Sequence, residues 1–202
     1  PVGATYEPIS VTVGGLTGYS RQSFLVTFPA NRGIDESSFL PKVDFVAGPH
    51  PWDIAIGDLD GDGKPDLAVA NSGESSVSVF LNLSTTGTLG SESFAEAIDF
   101  ELNSSSATSI AIGDLDGDGK NDLAASTTSN TVTILKNNST LGTIEFNASQ
   151  NTLGAETDPR SVVIGDLNND GKPDVVVVNY DNGAGYNLSI FKNISVVGSE
   201  IS

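Results

Sequence analysis

The chain has 202 residues, 38% of them hydrophobic, with 26 acidic against nine basic residues and a formal charge of −17. That length suffices for one or two domains with a sizeable core. Scattered basic residues exclude a phosphate-tracking surface, no apolar run reaches the roughly 18 residues of a membrane helix, and the lack of cysteine excludes disulfides and thiolate metal sites.

The chain opens Pro1-Val-Gly and holds no methionine, which fits a processed chain or a segment of a longer one. Within residues 1–40, Ile9-Ser-Val-Thr-Val-Gly-Gly-Leu16 parallels the later Asp53-Ile-Ala-Ile-Gly-Asp-Leu59, with Gly15 in the place of Asp58. Two readings stand. One is a degenerate, metal-free copy of the later units. The other is a β tail that resembles bacterial immunoglobulin-like repeats, in Val11-Thr-Val-Gly-Gly-Leu-Thr-Gly18 and Phe24-Leu-Val-Thr-Phe-Pro-Ala-Asn31. Both are β structure, with Pro29 to Ser38 as a connecting loop.

Asp58-Leu-Asp-Gly-Asp-Gly-Lys-Pro-Asp66 sets the theme of the rest. Its acids stand at loop positions 1, 3, 5 and 9, with glycines at 4 and 6. It recurs as Asp114-Leu-Asp-Gly-Asp-Gly-Lys-Asn-Asp122 and Asp166-Leu-Asn-Asn-Asp-Gly-Lys-Pro-Asp174. A hard cation such as Ca²⁺ takes about 6–8 oxygens at about 2.3–2.6 Å, and a short loop supplies them from alternate residues. Asp58, Asp60, Asp62 and Asp66 offer carboxylates, Lys64 a carbonyl, and water the remainder. Gly61 and Gly63 allow backbone angles that a Cβ resists. One Asp-Gly stretch is ordinary turn chemistry, but three copies in register read as calcium loops. An EF-hand is excluded. It needs Glu at position 12 and flanking helices, whereas position 12 is Val69, Ala125 and Val177 and the flanks are short β-branched runs.

Self-similarity organises the remainder, the loops starting 56 and 52 residues apart. Each unit reads as strand, loop, strand, polar turn and third strand, the last being Val77 to Asn82, Val132 to Asn137 and Leu188 to Asn193. An aromatic-bearing fourth strand follows, as in Phe94 to Phe100. Four short antiparallel strands per ~50-residue unit is the format of a β-propeller blade. The expected fold is therefore all-β, with blades over about 41–93, 94–147 and 148–202. One such sheet cannot bury both faces, so blades must pack face to face. Three and a fraction blades fall short of the common closed ring. Either four unusual units close it, the chain is part of something larger, or neighbouring copies complete it.

Phe45-Val-Ala-Gly-Pro49, the run from Ile54 to Asn71 and its two echoes resemble FG-GAP/VCBS repeats, similar to the calcium-bearing blades of integrin α-subunit propellers. The resemblance spans roughly residues 40–196 and implies a propeller with Ca²⁺ in the loop joining a blade's first two strands. It carries to Asp58, Asp60, Asp62, Lys64 and Asp66, and to Asp114, Asp116, Asp118, Lys120 and Asp122. In the third unit it carries to Asp166, Asn168, Asp170, Lys172 and Asp174. Asn168 there replaces an Asp and Asn169 a Gly, so of three expected sites the third is the weakest.

Eleven of the 26 acids lie in the loops, and three bound Ca²⁺ would leave about −11, which still disfavours nucleic acid. Weak loops of this type fill where Ca²⁺ is millimolar, outside the cell or at its surface. Seven Asn-X-Ser/Thr sequons point the same way as glycosylation candidates: Asn82, Asn103, Asn137, Asn138, Asn147, Asn187 and Asn193. Catalytic signals are thin. His50 has no nucleophile motif beside it, and Asp158 and Arg160 read as a surface pair. Trp52 reads first as a packing residue and second as a sugar platform. The expectation is a non-enzymatic, extracellular, calcium-braced structural or adhesive module, a subunit of a surface filament or a segment of a large adhesin. Its partners would be copies of itself, or extracellular protein or glycan. The alternative is a carbohydrate- or protein-binding propeller attached to a secreted enzyme, with a hydrolase using a blade-face acid pair ranked last.

Overall fold

The computed structural model describes residues 10–13, 16–19, 35–102, 106–147, 151–180 and 187–196. Short runs of Val, Ile, Ala and Ser bounded by Gly, Asn and Asp favour strands, and the described residues form thirteen strands with one 3₁₀ turn at Glu36–Ser38. Among the described residues there is no α-helix, and none long and apolar enough to cross a membrane. The fold is all-β and antiparallel. A hairpin of β1 (Ser10–Val13) and β2 (Leu16–Tyr19) sets Val13 opposite Leu16. The Phe24 to Asn31 segment lies outside the described residues.

Three sheets follow on one plan. The first is ordered β3 (Pro51–Gly57), β4 (Asp66–Asn71), β5 (Ser76–Phe80), β6 (Ile98–Glu101). The second runs β7 (Ala107–Gly113), β8 (Asp122–Thr127), β9 (Thr131–Leu135), β10 (Asn151–Gly154). The third runs β11 (Pro159–Gly165), β12 (Asp174–Asn179), β13 (Asn187–Phe191). Register is the same in each: Gly57 faces Asp66, Gly113 faces Asp122, and Gly165 faces Asp174. β6 returns to the strand it follows, with Phe100 opposite Val77, and β10 does likewise, with Leu153 opposite Val132. The first two sheets thus span 51–101 and 107–154, each extending past the 93/94 and 147/148 divisions read from sequence.

Alternation along the strands sends every second side chain into a seam between sheets. Ala55, Ala68, Ala70, Val77 and Val79 share one core with Ile110, Ile112, Leu123 and Ala125 of the second sheet. Its other face, with Ala111, Ala124, Val132 and Ile134, packs with Val162, Ile164, Val175 and Val177. Small residues on one side admit branched ones from the other. A Cβ at Gly57 would lie 2.8 Å from Ile112 Cγ2, and one at Gly113 would lie 2.7 Å from Ile164 Cγ2. At Gly165 nothing lies within 4 Å. Polar ties cross the same seams. Asp53 Oδ2 accepts from Ser109 Oγ at 2.6 Å and from the Ile110 amide at 3.0 Å, and the Val162 amide donates to Ser109 Oγ at 3.2 Å.

Gly113→Ala should force Ile164 out of place and lower stability by about 1–3 kcal/mol with the sheets intact. Urea unfolding measures this, and a loss below about 0.5 kcal/mol would contradict so close an approach.

Candidate metal centres

Each loop is held in shape by its own acids. The last acid is the anchor. Asp66 accepts from the Leu59 amide at Oδ2 and the Asn82 amide at Oδ1, both at 2.8 Å. Asp122 accepts from Leu115 and Asn137, both at 2.9 Å, and Asp174 from Leu167 at 3.1 Å and Asn193 at 2.9 Å. All three anchors are buried. The first acid closes the loop: Asp58 accepts from Gly61 and Gly63, Asp114 from Gly117 and Gly119, and Asp166 from Asp170 and Gly171. Positions 3 and 5 each accept from the amide two residues on, a run of Asx turns common to the three loops. Position 4 is left-handed throughout, at φ 79° for Gly61, 72° for Gly117 and 61° for Asn169. Asparagine is one of the few residues with a Cβ that visits this region, so the third loop keeps its shape.

Carboxylate oxygens of Asp58, Asp60 and Asp66 lie within 4.8 Å of one another, as do those of Asp114, Asp116 and Asp118. Either cluster could bind a metal ion. The other expected acids are placed differently. Asp62 pairs with Lys64 Nζ at 2.9 Å, and Asp122 stands as the anchor of its loop. The third loop, with Asn168 at position 3, shows no such cluster among the described residues. The loop lysines reach across to carbonyls near the end of the third strand: Lys64 to Asn82, Lys120 to Ser139 and Lys172 to Ser195.

The electrostatics favour a cation. Burial pushes the Asp122 carboxyl up to about 6, against its two backbone hydrogen bonds and with help from the Asp116 and Asp118 charges. Burial likewise raises Asp66, with Asp60 and Asp58 adding to it. A partly buried set of carboxylate oxygens short of counter-charge is the donor set a hard ion such as Ca²⁺ takes. In the second loop a lysine supplies that charge. The Lys136 amine bonds Asp116 Oδ2 and lies 3.8 Å from Asp118, and the hydrogen bond to Asp116 holds Lys136 above its usual range. The first unit has Leu81 at the matching place, and the third has Lys192, 3.5 Å from Asp170.

The pattern of FG-GAP-like repeats matches residues 58–125 and 114–177, each match running from the first acid of one loop to position 12 of the next. The chain belongs to the FG-GAP-like repeat family. No curated protein matches it.

Each FG-GAP-like repeat here also has a polar bridge built on one of the expected sequons. Asn82 Nδ2 donates to Pro65 O at 2.7 Å. Asn137 Nδ2 donates to Asn121 O at 2.7 Å and Leu59 O at 2.9 Å, and Asn193 Nδ2 to Pro173 O at 2.8 Å and Leu115 O at 2.7 Å. Their Oδ1 atoms accept from the amides of Ser84, Ser139 and Ser195. Both hydrogens of Asn137 Nδ2 and of Asn193 Nδ2 are taken by these bonds, so a glycan there would cost one of them, whereas Asn82 Nδ2 spends only one; all three asparagines form Asx turns. The serine two residues on is what makes them look like acceptors. Recurrence of Asn at the end of every third strand is the signal that could have found them. Of the other sequons, Asn138 and Asn187 are exposed, Asn147 is half-buried, and Asn103 lies outside the described residues.

The remaining candidates sit outside the loops. His50 is exposed in a left-handed turn at φ 52°, which Asp158 repeats at 55°. Arg160 donates to Asp158 at 2.7 Å and stands over the Tyr180 ring. Trp52, expected first as a packing residue, is 61% exposed.

Two predictions follow from these charges. Lys136→Leu, which copies Leu81, should tighten Ca²⁺ binding at the second loop by on the order of tenfold, read by calorimetric titration; unchanged affinity would rule out competition by Lys136. The second concerns pH. Asp122 binds its proton more tightly folded than unfolded, so the ion-free protein should lose stability as pH rises from about 4 through about 6. Saturating Ca²⁺ should remove most of that loss, as thermal melts across the window will show. An identical slope with and without Ca²⁺ would contradict it.

Proposed function

We propose that this chain is an extracellular structural or adhesive module in which Ca²⁺ braces a β-propeller-like array of blades. The observation that carries the reading is the place of the first two loops, each at the seam with the next sheet. Asn121 Nδ2 of the second unit donates to Asp58 O at 2.9 Å, and the Gly142 amide to Asp60 Oδ2 at 2.7 Å. Asn193 and Ser195 of the third unit both reach Leu115 O. Ordering a loop therefore orders the seam beside it.

Asp58, Asp60, Asp62 and Asp66 with the Lys64 carbonyl would hold one ion. Asp114, Asp116, Asp118 and Asp122 with the Lys120 carbonyl would hold a second. Asp166, Asn168, Asp170, Asp174 and the Lys172 carbonyl form a third and weakest set, one charge short. The ion supplies compact positive charge that binds the folded loop and not the unfolded chain, so its binding energy adds to stability. Loops of this strength suit millimolar Ca²⁺ outside the cell. No catalysis is proposed: His50 has no hydrogen-bonded partner among its described contacts that would make it a base, and the loop acids are engaged by backbone amides.

A second reading, a carbohydrate- or protein-binding propeller, is favoured by exposed Trp52 beside Ile54 on the outer face of β3. Saturable glycan binding lost in Trp52→Ala would decide for it.

Free Ca²⁺ at a hundredfold over Kd stabilises by about 2.7 kcal/mol per site. For a chain of this size, chelation should then lower the melting temperature by roughly 5–10 °C per filled site. An unchanged melt would remove the bracing role.

A further inference from the structure

We propose that copies of this chain join head to tail. The third sheet of one copy takes residues 38–45 of the next as its fourth strand and the outer face of that copy's β3 as its cover. This names a partner for the structural module proposed above and rests on two independent features.

The first is a segment with the sequence of a fourth strand left unpaired at one end, and a short sheet at the other. Ser38-Phe-Leu-Pro-Lys-Val-Asp-Phe45 repeats Ser93-Phe-Ala-Glu-Ala-Ile-Asp-Phe100, identical at four of eight positions. The later copy ends in β6, paired with β5. The earlier copy forms no strand, and Phe39, Leu40 and Val43 stand exposed. It is nevertheless held where a preceding sheet's fourth strand belongs. Phe45 meets Phe94 edge-on at 5.3 Å, as Phe100 meets Phe146 at 5.1 Å. The third sheet has three strands among the described residues, with β13 at its edge, and an open edge recruits a strand.

The second feature is the seam itself. Ile112 covers Gly57 and Ile164 covers Gly113, but Gly165 is uncovered. The matching isoleucine at the other end of the series, Ile56, is 66% exposed. Leu188 and Ile190 likewise stand 63% and 60% exposed, where Val77 and Val79 at the same places are buried in the first seam. Facing them would be an apolar groove of about 400 Å³ beside β3 that Phe45 and Ile54 help to line. Each end thus carries one half of an interface the chain already makes twice. Contact between ends that does not close a ring builds open chains.

The register of β5 on β6, carried over, sets Val43 of one copy opposite Ile190 of another. The chain has no cysteine, so Val43→Cys chains mixed with Ile190→Cys chains in millimolar Ca²⁺, which offsets the repulsion between acidic copies, test this directly. A mixed disulfide should form under mild oxidation. Light scattering on the unsubstituted chain should give multiples of 20.8 kDa. Gly165→Ile fills the open seat at a backbone angle other residues adopt, so it should fold, return the mass to 20.8 kDa and abolish the cross-link. A monomer at all concentrations with no mixed disulfide overturns the proposal. So does a doubly substituted chain that links only to itself when dilute. A monomer whose melting temperature still falls on chelation would leave the calcium brace standing and remove the assembly alone.

Discussion

Everything in each repeat depends on one buried carboxylate that accepts two backbone amides. Asp66 binds the Leu59 amide at the start of its loop and the Asn82 amide at the end of the third strand. Without it both donors would be stranded in the interior, at a cost of about 1–3 kcal/mol each. With it, the loop is pinned to a strand sixteen residues further on, and the acids at the first and third positions converge. Burial that makes the anchor structural also makes it electrostatically expensive. Two amides lower its proton affinity, desolvation raises it, and desolvation prevails at Asp66 and Asp122. A positive charge in the loop resolves the conflict. The fold therefore couples its own register to the occupancy of its loops.

The seams carry that local order along the chain. Alanines on one sheet admit isoleucines from the next, and glycines at the ends of β3 and β7 admit them most closely. Asn137 ties the first seam in polar terms, bonding Asn121 O of its own loop and Leu59 O of the neighbour's. One side chain thus touches two loops. A sheet displaced by one residue would lose the packing and this bridge together, because strand alternation moves every side chain to the other face. Two seams built alike, with an uncovered glycine at one end and an exposed isoleucine at the other, are what make the ends of the described structure complementary.

Much of this was legible in the sequence. The three loops showed in the spacing of their acids, and the first three strands of each unit in their β-branched runs between turn residues. What escaped depends on contacts made at a distance. The aromatic segment after Asn82 was read as a fourth strand, which its pairing of Phe100 with Val77 bears out, but the division drawn at 93/94 cut it from the sheet it joins. Asn82, Asn137 and Asn193 read as glycan acceptors because an Asx turn with serine two residues on uses the same triplet. Lys136 looked like an ordinary strand residue, and only the fold brings it onto Asp116. Asn169 was read as a departure, yet it takes the left-handed backbone of the glycines it replaces. Trp52 was read first as a packing residue and second as a sugar platform, and its place on an outward face leaves it exposed.

The most direct test of the calcium brace is amide hydrogen exchange, measured with and without Ca²⁺ on the intact chain. If an ion completes each acidic loop, the amides of Leu59 and Asn82, bonded to Asp66, and of Leu115 and Asn137, bonded to Asp122, should exchange more slowly in Ca²⁺. The slowing should be about tenfold for every 1.4 kcal/mol of added local stability. Ca²⁺ that binds by calorimetry yet leaves these four amides exchanging at the chelated rate would contradict it.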